Sequence, residues 1–434
     1  MKFISTNHNL TPVSLIEAVE RCVAPDGGLF MPEFIPEIPK AFFNNIGEMN
    51  LRDIAFVVAS SFIGEEINPS KLKLIVDEAF NFKAPLVKIA KNTYALELFH
   101  GPTLSFKDFG ARFMARIMKY ADGLKNSAKQ RKVLVATTGN SGAAAANGLL
   151  NIDGVSVYVL YPKGVMTRLQ QRQLTALGGN VYPLEILGSI DDCKTLVKNA
   201  IACQNNEHVN LTGANSINIA RLIPQVTFAF HAYAQLKALE IADANEAAYS
   251  IPCGNLSNLI AAVIAKRAGL PTGPIVAACN NNNSLKNIID GNVNNNTPIK
   301  TLAPSMDMIL PSGLPRLLHL YDGKITNITN DIIIPQGISD QQIAETVKKL
   351  RTSSNYTIDP HGAVALAASA SIEDSRTKVV FATGHPAKQL DIMTGITGTP
   401  IELPVQLNRF MTNAVHPTIM PPTMPALKKH LNLS

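Results

Sequence analysis

A lysine at the start of a predicted helix is well placed for covalent chemistry. Phe109, Phe113 and Ile117 recur every four residues, and this spacing predicts a helix with one apolar face after the turn signal Gly101–Pro102. Lys107 stands at or just before the start of that helix. Because the helix dipole disfavours positive charge there, the position favours the neutral amine that a Schiff base requires. The competing interpretation is an ordinary solvated lysine at a loop–helix junction.

Three polar, glycine-containing loops each follow an apolar run that predicts a strand. They lie in TTGNSGAAAANGLL (Thr137–Leu150), PCGNLSNLIAAVIAKRAG (Pro252–Gly269) and FATGHPAK (Phe381–Lys388). In the first two, small residues and exposed amides at a helix start can bind a carboxylate or a phosphate. The second lacks the GK[ST] ending of a Walker loop. For the first loop, an ordinary strand–helix turn is an equally good interpretation.

The order of elements predicts where these loops meet. Continuous apolar runs separated by helix-like stretches are typical of parallel strands buried on both faces, which indicates an α/β fold. Ligands of such sheets bind at the carboxyl ends of the strands, so the loops and Lys107 predict one composite site. The predicted strands are Val133–Thr137, Val155–Tyr161, Ala248–Cys253, Pro274–Cys279 and Lys378–Thr383.

The first 90 or so residues and the tail show other patterns. Helical patches at Val13–Val23 and Leu72–Phe80 flank a proline-rich stretch, Pro25–Pro39, which predicts loop or extended chain. After Met420 the sequence predicts a wrapping terminus with a short basic helix at Ala426–Leu431.

Composition excludes several classes of protein. The 434 residues are 46% hydrophobic and 17% charged with a net charge of +6, which predicts a folded chain of two or three units without a nucleic-acid-binding stripe. No apolar run approaches the roughly 20 residues that span a bilayer. The five cysteines, Cys22, Cys193, Cys203, Cys253 and Cys279, form no CxxC pair, so we expect no zinc or other metal site and a reducing, cytoplasmic location.

The motifs, taken in order, resemble those of the threonine synthase family over nearly the whole chain. The most specific is ELFHGPTLSFKDFGARFM around Lys107, and further matches are DGGLFMPE, TTGNSGAA, GANSINIARLIPQ, PCGNLSNL, PHGAVA and ATGHPAK. The resemblance implies a tryptophan-synthase β-like fold with two three-layer α/β domains, mostly parallel sheets and an N-terminal extension. We expect the extension at 1–92, a smaller domain at 93–213 and a larger domain with the tail at 214–434.

The resemblance also implies the cofactor and the site residues. Lys107 would form a Schiff base with pyridoxal 5'-phosphate, and Thr383 would contact the ring nitrogen. Asn140 would lie by the 3-hydroxyl group of the ring. The cofactor phosphate would be bound by Gly254, Asn255, Leu256, Ser257 and Asn258. The substrate carboxylate would be bound by Thr138, Gly139, Ser141 and Gly142, and the substrate phosphate by the segment with Asn215, Ser216, Asn218 and Arg221.

Several positions depart from the family pattern. Ser257 stands where the family usually has glycine, and we expect this change to restrict the backbone of the phosphate loop. Gly313 replaces an expected asparagine, and Gln389 replaces a usual phenylalanine.

The implied activity is conversion of O-phospho-L-homoserine and water into L-threonine and phosphate. One alternative is a phospho-lyase of the same fold that releases a 2-keto acid, and another is a non-catalytic relative that binds a phosphometabolite. The expected partner is a small-molecule substrate, without nucleic acid or membrane, for a monomer or homodimer.

Overall fold

The computed structural model describes residues 1–125, 130–202, 209–292, 297–373, 375–412 and 417–433, so Cys203 lies outside the described residues. Within those ranges the helices are all too short or too polar to cross a membrane.

Strands and helices alternate through most of the chain after a mainly helical N-terminal segment. The strands are β1 (Phe3–Ser5), β2 (Phe30–Pro32), β3 (Leu86–Ala90), β4 (Thr93–Glu97), β5 (Gln130–Ala136), β6 (Val155–Pro162), β7 (Val181–Ile186), β8 (Val209–Gly213), β9 (Ala248–Pro252), β10 (Ile275–Ala278), β11 (Ile332–Ile333), β12 (Lys378–Ala382) and β13 (Thr418–Met420). The α-helices are α1 (Leu15–Arg21), α2 (Lys40–Asn45), α3 (Leu51–Ile63), α4 (Pro69–Ala79), α5 (Lys107–Lys125), α6 (Asn140–Leu149), α7 (Arg168–Thr175), α8 (Ile190–Ala202), α9 (Ile219–Ala238), α10 (Ser257–Arg267), α11 (Ser284–Ile289), α12 (Leu314–Leu320), α13 (Ile328–Asp331), α14 (Asp340–Ser354), α15 (Pro360–Ala368), α16 (Leu390–Thr397), α17 (Val405–Thr412) and α18 (Met424–His430).

Two mostly parallel sheets carry the core. The six-stranded sheet has the order β11–β10–β9–β12–β4–β3, and only its β3–β4 pair is antiparallel. The five-stranded sheet has the order β13–β7–β6–β5–β8 and is parallel throughout. Every residue of β6 is buried, which explains why its sequence shows no polar alternation. The five predicted strands are therefore confirmed, as β5, β6, β9, β10 and β12.

The N-terminal extension packs on the helices that carry the site. Helix α3 lies against α9, and α1 and α4 lie against α5. The Asn50 side chain caps α3 by accepting from the amides of Arg52 and Asp53. The extension thus supports two helices whose N-termini face the ligand cavity described below.

Sheet membership differs from the predicted domain limits in two places. A limit at 92/93 separates β3 from β4, although these strands pair with each other and β4 also pairs with β12 of the six-stranded sheet. Strand β13 of the tail pairs with β7, so the tail returns to the five-stranded sheet, whose other strands fall within the predicted smaller domain. Both differences arise from long-range strand pairing, which local patterns do not specify.

Candidate active site

The predicted loops meet at a cleft between the two sheets. A cavity of about 690 Å³, a volume that includes the solvent at its open mouth, lies at this point. Lys107, Arg221 and Thr383 line it, together with Gly254 through Asn258. An adjoining cavity shares the lining residues Phe106, Lys107, Ser305, His361 and Thr383 and adds Asn140. Lys107 therefore faces both halves of one composite site.

Lys107 is the first residue of α5 and is held at a fixed position. Its Nζ donates a hydrogen bond to Ser141 Oγ at 3.0 Å, which joins α5 to the start of α6. Burial, and secondarily the positive charge of Arg221, lowers the pKa of Lys107 to about 8. The site therefore increases the fraction of neutral amine, the form that attack on an aldehyde requires.

The loop before α10 offers a set of backbone amides to an anion. Among the described residues, the amides of Gly254 through Asn258 have no protein acceptor. Leu256 has φ 65° and ψ 0°, the left-handed conformation that usually favours glycine, and its side chain is buried in the core. Ser257 begins α10 with an ordinary negative φ, so the expected restriction of the loop by this serine is wrong. The helix start remains open for a phosphate.

The turn that contains Gly313 packs against the loop before α10. The Asn255 side-chain oxygen accepts from both the amide and the hydroxyl of Ser312. A Cβ atom at Gly313 would stand 2.3 Å from the Asn255 carbonyl oxygen. Glycine at 313 is therefore what allows this close approach, which accounts for the absence of the expected asparagine.

Gly313→Asn is expected to weaken cofactor binding by about tenfold or more, because relieving the clash must shift the Asn255 carbonyl and with it the phosphate amides. Cofactor titration of the apo-protein, followed by visible absorbance, measures the change. Gly395→Ala is the matched control, since a Cβ at Gly395 meets nothing within 4 Å. Equal cofactor affinity in the two variants would contradict this role of Gly313.

The loop before α6 uses part of its hydrogen-bonding capacity to hold its own shape. Thr137 Oγ1 accepts from the amides of Gly139 and Gly142, each at 3.0 Å. Thr138 is exposed and does not line either cavity, whereas Ser141 and Asn140 do. The structure thus brings two of the five polar and glycine residues predicted from this loop to the cavity wall.

In the segment before α9, some residues stabilise the fold and others line the cavity. Asn218 is fully buried, caps α9 by accepting from the Ala220 amide, and donates to the Val19 carbonyl. The Asn215 carbonyl accepts from the Asn218 amide, and Asn215 does not line the cavity. Ser216 and Arg221 do line it. Burial lowers the pKa of Arg221 to about 10, and its Nη1 donates to the Ala214 carbonyl at 3.1 Å.

The residues present fit pyridoxal phosphate. The buried side-chain oxygens of Asn140 and Asn258 have no hydrogen-bond partner among the described residues, and both side chains line the site. Buried polar atoms in folded proteins are normally paired, so these two indicate a bound polar group. A neutral amine, free amides at a helix start and the Thr383 hydroxyl are the groups that an aldehyde, a phosphate and a ring nitrogen require.

Lys388 and His361 are two of several polar side chains of the cavity that were not assigned to the site from the sequence. Lys388 lines the cavity and stands five residues after Thr383, in the loop at the end of the same strand. That position in the sequence could have identified it as a site residue. His361 lines both cavities, with Nδ1 2.7 Å from Asp359 Oδ2 and Nε2 accepting from the Ser305 amide at 3.2 Å. The ring is therefore the tautomer protonated at Nδ1, which donates to Asp359.

Comparisons with known proteins agree with this geometry. The family model described as "Pyridoxal-phosphate dependent enzyme" matches residues 81–384, and "Threonine synthase N terminus" matches residues 2–80. The chain is 35% identical to threonine synthase of Haemophilus influenzae, with 94% of each chain covered. It is 30% identical to that of Saccharomyces cerevisiae, with 92% of this chain and 91% of the relative covered.

Solved structures show the same likeness in three dimensions. The crystal structure of threonine synthase from Escherichia coli superposes with a TM-score of 0.90 at 32% identity, covering 100% of this chain and 99% of that chain. The pyridoxal-phosphate-bound threonine synthase of Brucella melitensis superposes with a TM-score of 0.92 at 28% identity, covering 99% and 98%. These likenesses confirm the predicted α/β fold with its N-terminal extension.

Proposed function

This chain belongs to the threonine synthase family and is a pyridoxal-phosphate-dependent lyase of threonine biosynthesis, and we propose that its substrate is O-phospho-L-homoserine, which it converts with water into L-threonine and phosphate. The observation that carries the assignment of roles is the placement of Lys107 Nζ in one cavity with the free amides before α10.

The cofactor site that we propose uses groups from four elements. Lys107 Nζ would hold the aldehyde carbon, and the amides of Gly254 through Asn258 would bind the phosphate. The Thr383 hydroxyl would meet the ring nitrogen and Asn140 the ring hydroxyl. When bound, pyridoxal phosphate withdraws electrons from the substrate carbon that bears the amine, which makes a proton on that carbon acidic.

The protein's own residues then bind the substrate and move its protons. Lys107 Nζ, held by Ser141 Oγ, is the base for the proton on the substrate α-carbon, because its lowered pKa keeps a neutral fraction near neutral pH. The start of α6, at Gly139 through Gly142 and with the Thr138 hydroxyl nearby, would bind the substrate carboxylate.

The substrate phosphate would be bound by the segment that leads into α9. Arg221 and Ser216 line the cavity there, and a buried guanidinium stabilises a departing phosphate dianion more strongly than an exposed one. Asn215 and Asn218 would act through this segment by fixing its backbone, since the side chain of Asn218 is engaged within the fold.

Product analysis tests the proposed reaction directly. The purified holoenzyme incubated with O-phospho-L-homoserine is expected to release L-threonine and phosphate in equal amounts, both measured by chromatography. The alternative phospho-lyase would release phosphate with a 2-keto acid, which a dehydrogenase-coupled assay detects. Phosphate release without threonine would contradict the proposal.

The cellular setting follows from the thiols. Cys22, Cys193, Cys253 and Cys279 are free and buried in the described residues, which supports a reducing compartment and hence the cytoplasm. A monomer or homodimer stays the predicted assembly.

A further inference from the structure

A second lysine lies in the site with its amine fully enclosed. Lys388 is only 3% exposed and lines the half of the cavity that contains Lys107 and Asn140. Its Nζ donates to the Thr103 carbonyl at 2.5 Å and to Gln173 Oε1 at 2.8 Å. Both partners are neutral oxygens, and among the described residues no carboxylate lies within ion-pair distance of this amine.

Burial of the Lys388 ammonium costs free energy unless a ligand pairs with it. A lysine is rarely buried without a charged partner, because desolvation of the ammonium is not offset by neutral acceptors alone. An ammonium has three N–H groups, and two of them are committed to Thr103 and Gln173. The third position of the tetrahedral nitrogen is left for a ligand in the cavity that Lys388 lines.

The charges around Lys388 indicate the sign of the missing partner. Burial, opposed by the negative charge of Asp108 and reinforced by the positive charge of Lys107, lowers the pKa of this amine to about 7. The Asp108 carboxylate accepts from the amide and the hydroxyl of Thr103 and lies beyond ion-pair distance of the Lys388 amine. Asp359 and His361 line the same cavity and bind each other. A bound anion would supply the adjacent negative charge that these neighbours do not supply.

We propose that Lys388 Nζ is an oxyanion-binding group of the active site that takes the carboxylate or the phosphate of the substrate. The inference rests on the proposed function, since that substrate carries two anionic groups besides the cofactor phosphate. The other buried cation of the site, Arg221, lines the half of the cavity that contains the amides before α10. Lys388 serves the opposite half, where Lys107 is committed to the cofactor. Gln173 and the Thr103 carbonyl each accept one hydrogen bond from its amine, and the Thr103 carbonyl still accepts when Gln173 is replaced.

Two substitutions separate anion binding from a structural role. Lys388→Met removes the amine, and Gln173→Met removes one of its acceptors while leaving the amine in place, so both break the same buried hydrogen bond. In the cofactor-loaded protein, inorganic phosphate and L-threonine serve as probes for the two anionic subsites. Lys388→Met is expected to weaken the binding of one probe by about 10- to 100-fold, as for loss of a charged hydrogen bond. Gln173→Met is expected to stay within about threefold of the wild type.

The probe that is affected identifies the group that Lys388 binds. Weaker phosphate binding assigns it to the substrate phosphate, and weaker L-threonine binding to the carboxylate. Unchanged affinity for both probes overturns the inference, as does an equal loss in the two variants, because a structural role predicts that equality. Visible absorbance of the bound cofactor is measured first. A wild type that binds no cofactor refutes the proposed function, whereas normal absorbance with unchanged probe affinity refutes only this role of Lys388.

A measurement on the wild type keeps the inference testable if Lys388→Met does not fold. At pH 8 an amine with a pKa of about 7 is mostly neutral, and a bound anion raises that pKa, so binding must take up protons. Calorimetric titration of the cofactor-loaded protein with sulfate, in two buffers of different ionisation enthalpy, counts them, since Lys107, whose pKa is also lowered, is then bound to the cofactor. Uptake that approaches one proton at pH 8 and declines at pH 6, where the amine is already charged, is expected. No uptake at pH 8 contradicts the inference.

Discussion

Lys107→Ala is expected to lose the visible absorbance of the lysine-bound cofactor and to lower kcat by about 10³-fold or more, within the range of a lost general base. Both losses have one cause, because the same Nζ is placed to hold the aldehyde and to move the α-carbon proton. The fold should survive, since within the described part of the chain Nζ makes a single hydrogen bond, to Ser141 Oγ. Absorbance spectra, steady-state kinetics and circular dichroism of the purified variant measure the three properties.

Lys388 is the necessary comparison, because burial lowers its pKa to about 7, further than that of Lys107. A ranking of amines by pKa alone would therefore select the wrong lysine. Geometry selects Lys107, which faces both halves of the cavity and the phosphate amides. Borohydride reduction of the holoenzyme followed by peptide mapping should place the label on the peptide with Lys107. A label on Lys388, or a fully active yellow Lys107→Ala variant, would refute the assignment.

Local sequence patterns predicted the central strands and the start of α5 because both are properties of a short segment. A strand buried on both faces, such as β6, must be continuously apolar, and the apolar spacing of α5 reflects the complete burial of Phe109, Phe113 and Ile117. Strand β7 was missed because Pro183 and Glu185 interrupt its apolar run. Its place in the sheet comes from pairing with β6 and β13, which no local window contains.

The site was predictable at the level of loops and not at the level of individual side chains. The loops after β9 and β12 converge because these strands pair in parallel within one sheet, whereas the loop after β5 belongs to the other sheet and joins them through tertiary packing. Whether Asn218 faces the ligand or the fold is decided by α1, whose Val19 carbonyl accepts from its side chain. Likewise, the amine of Lys388 lies at the cavity wall, where Thr103 and Gln173, far apart in sequence, accept its hydrogen bonds. Such choices depend on tertiary contacts and leave little local signal.

Arg221→Met is expected to lower kcat by about 10²-fold, as for removal of one preorganised group that stabilises a leaving oxyanion. The guanidinium is buried in the cavity, and no carboxylate in the described residues lies within ion-pair distance of it. Its charge is therefore available to the substrate phosphate. The prediction is checked by steady-state kinetics with O-phospho-L-homoserine, with cofactor content measured on the same sample.

For Arg221→Met we also expect a change in the pH dependence of cofactor association. Because the charge of Arg221 helps to lower the pKa of Lys107, its removal should raise that pKa above about 8. Only the neutral amine attacks the aldehyde, so the rate of cofactor association with the apo-protein rises with pH through this value, and in the variant the rise must move to higher pH. Arg316→Met is the matched control for this pH prediction. Arg316 is equally buried and also has a pKa lowered to about 10, but its charge does not act on Lys107. Arg316 donates to the carbonyls of Phe30 and Ile217, so its loss should reduce stability and leave the pH midpoint of cofactor association unchanged. Identical midpoints in all three proteins would show that Arg221 does not set the basicity of Lys107.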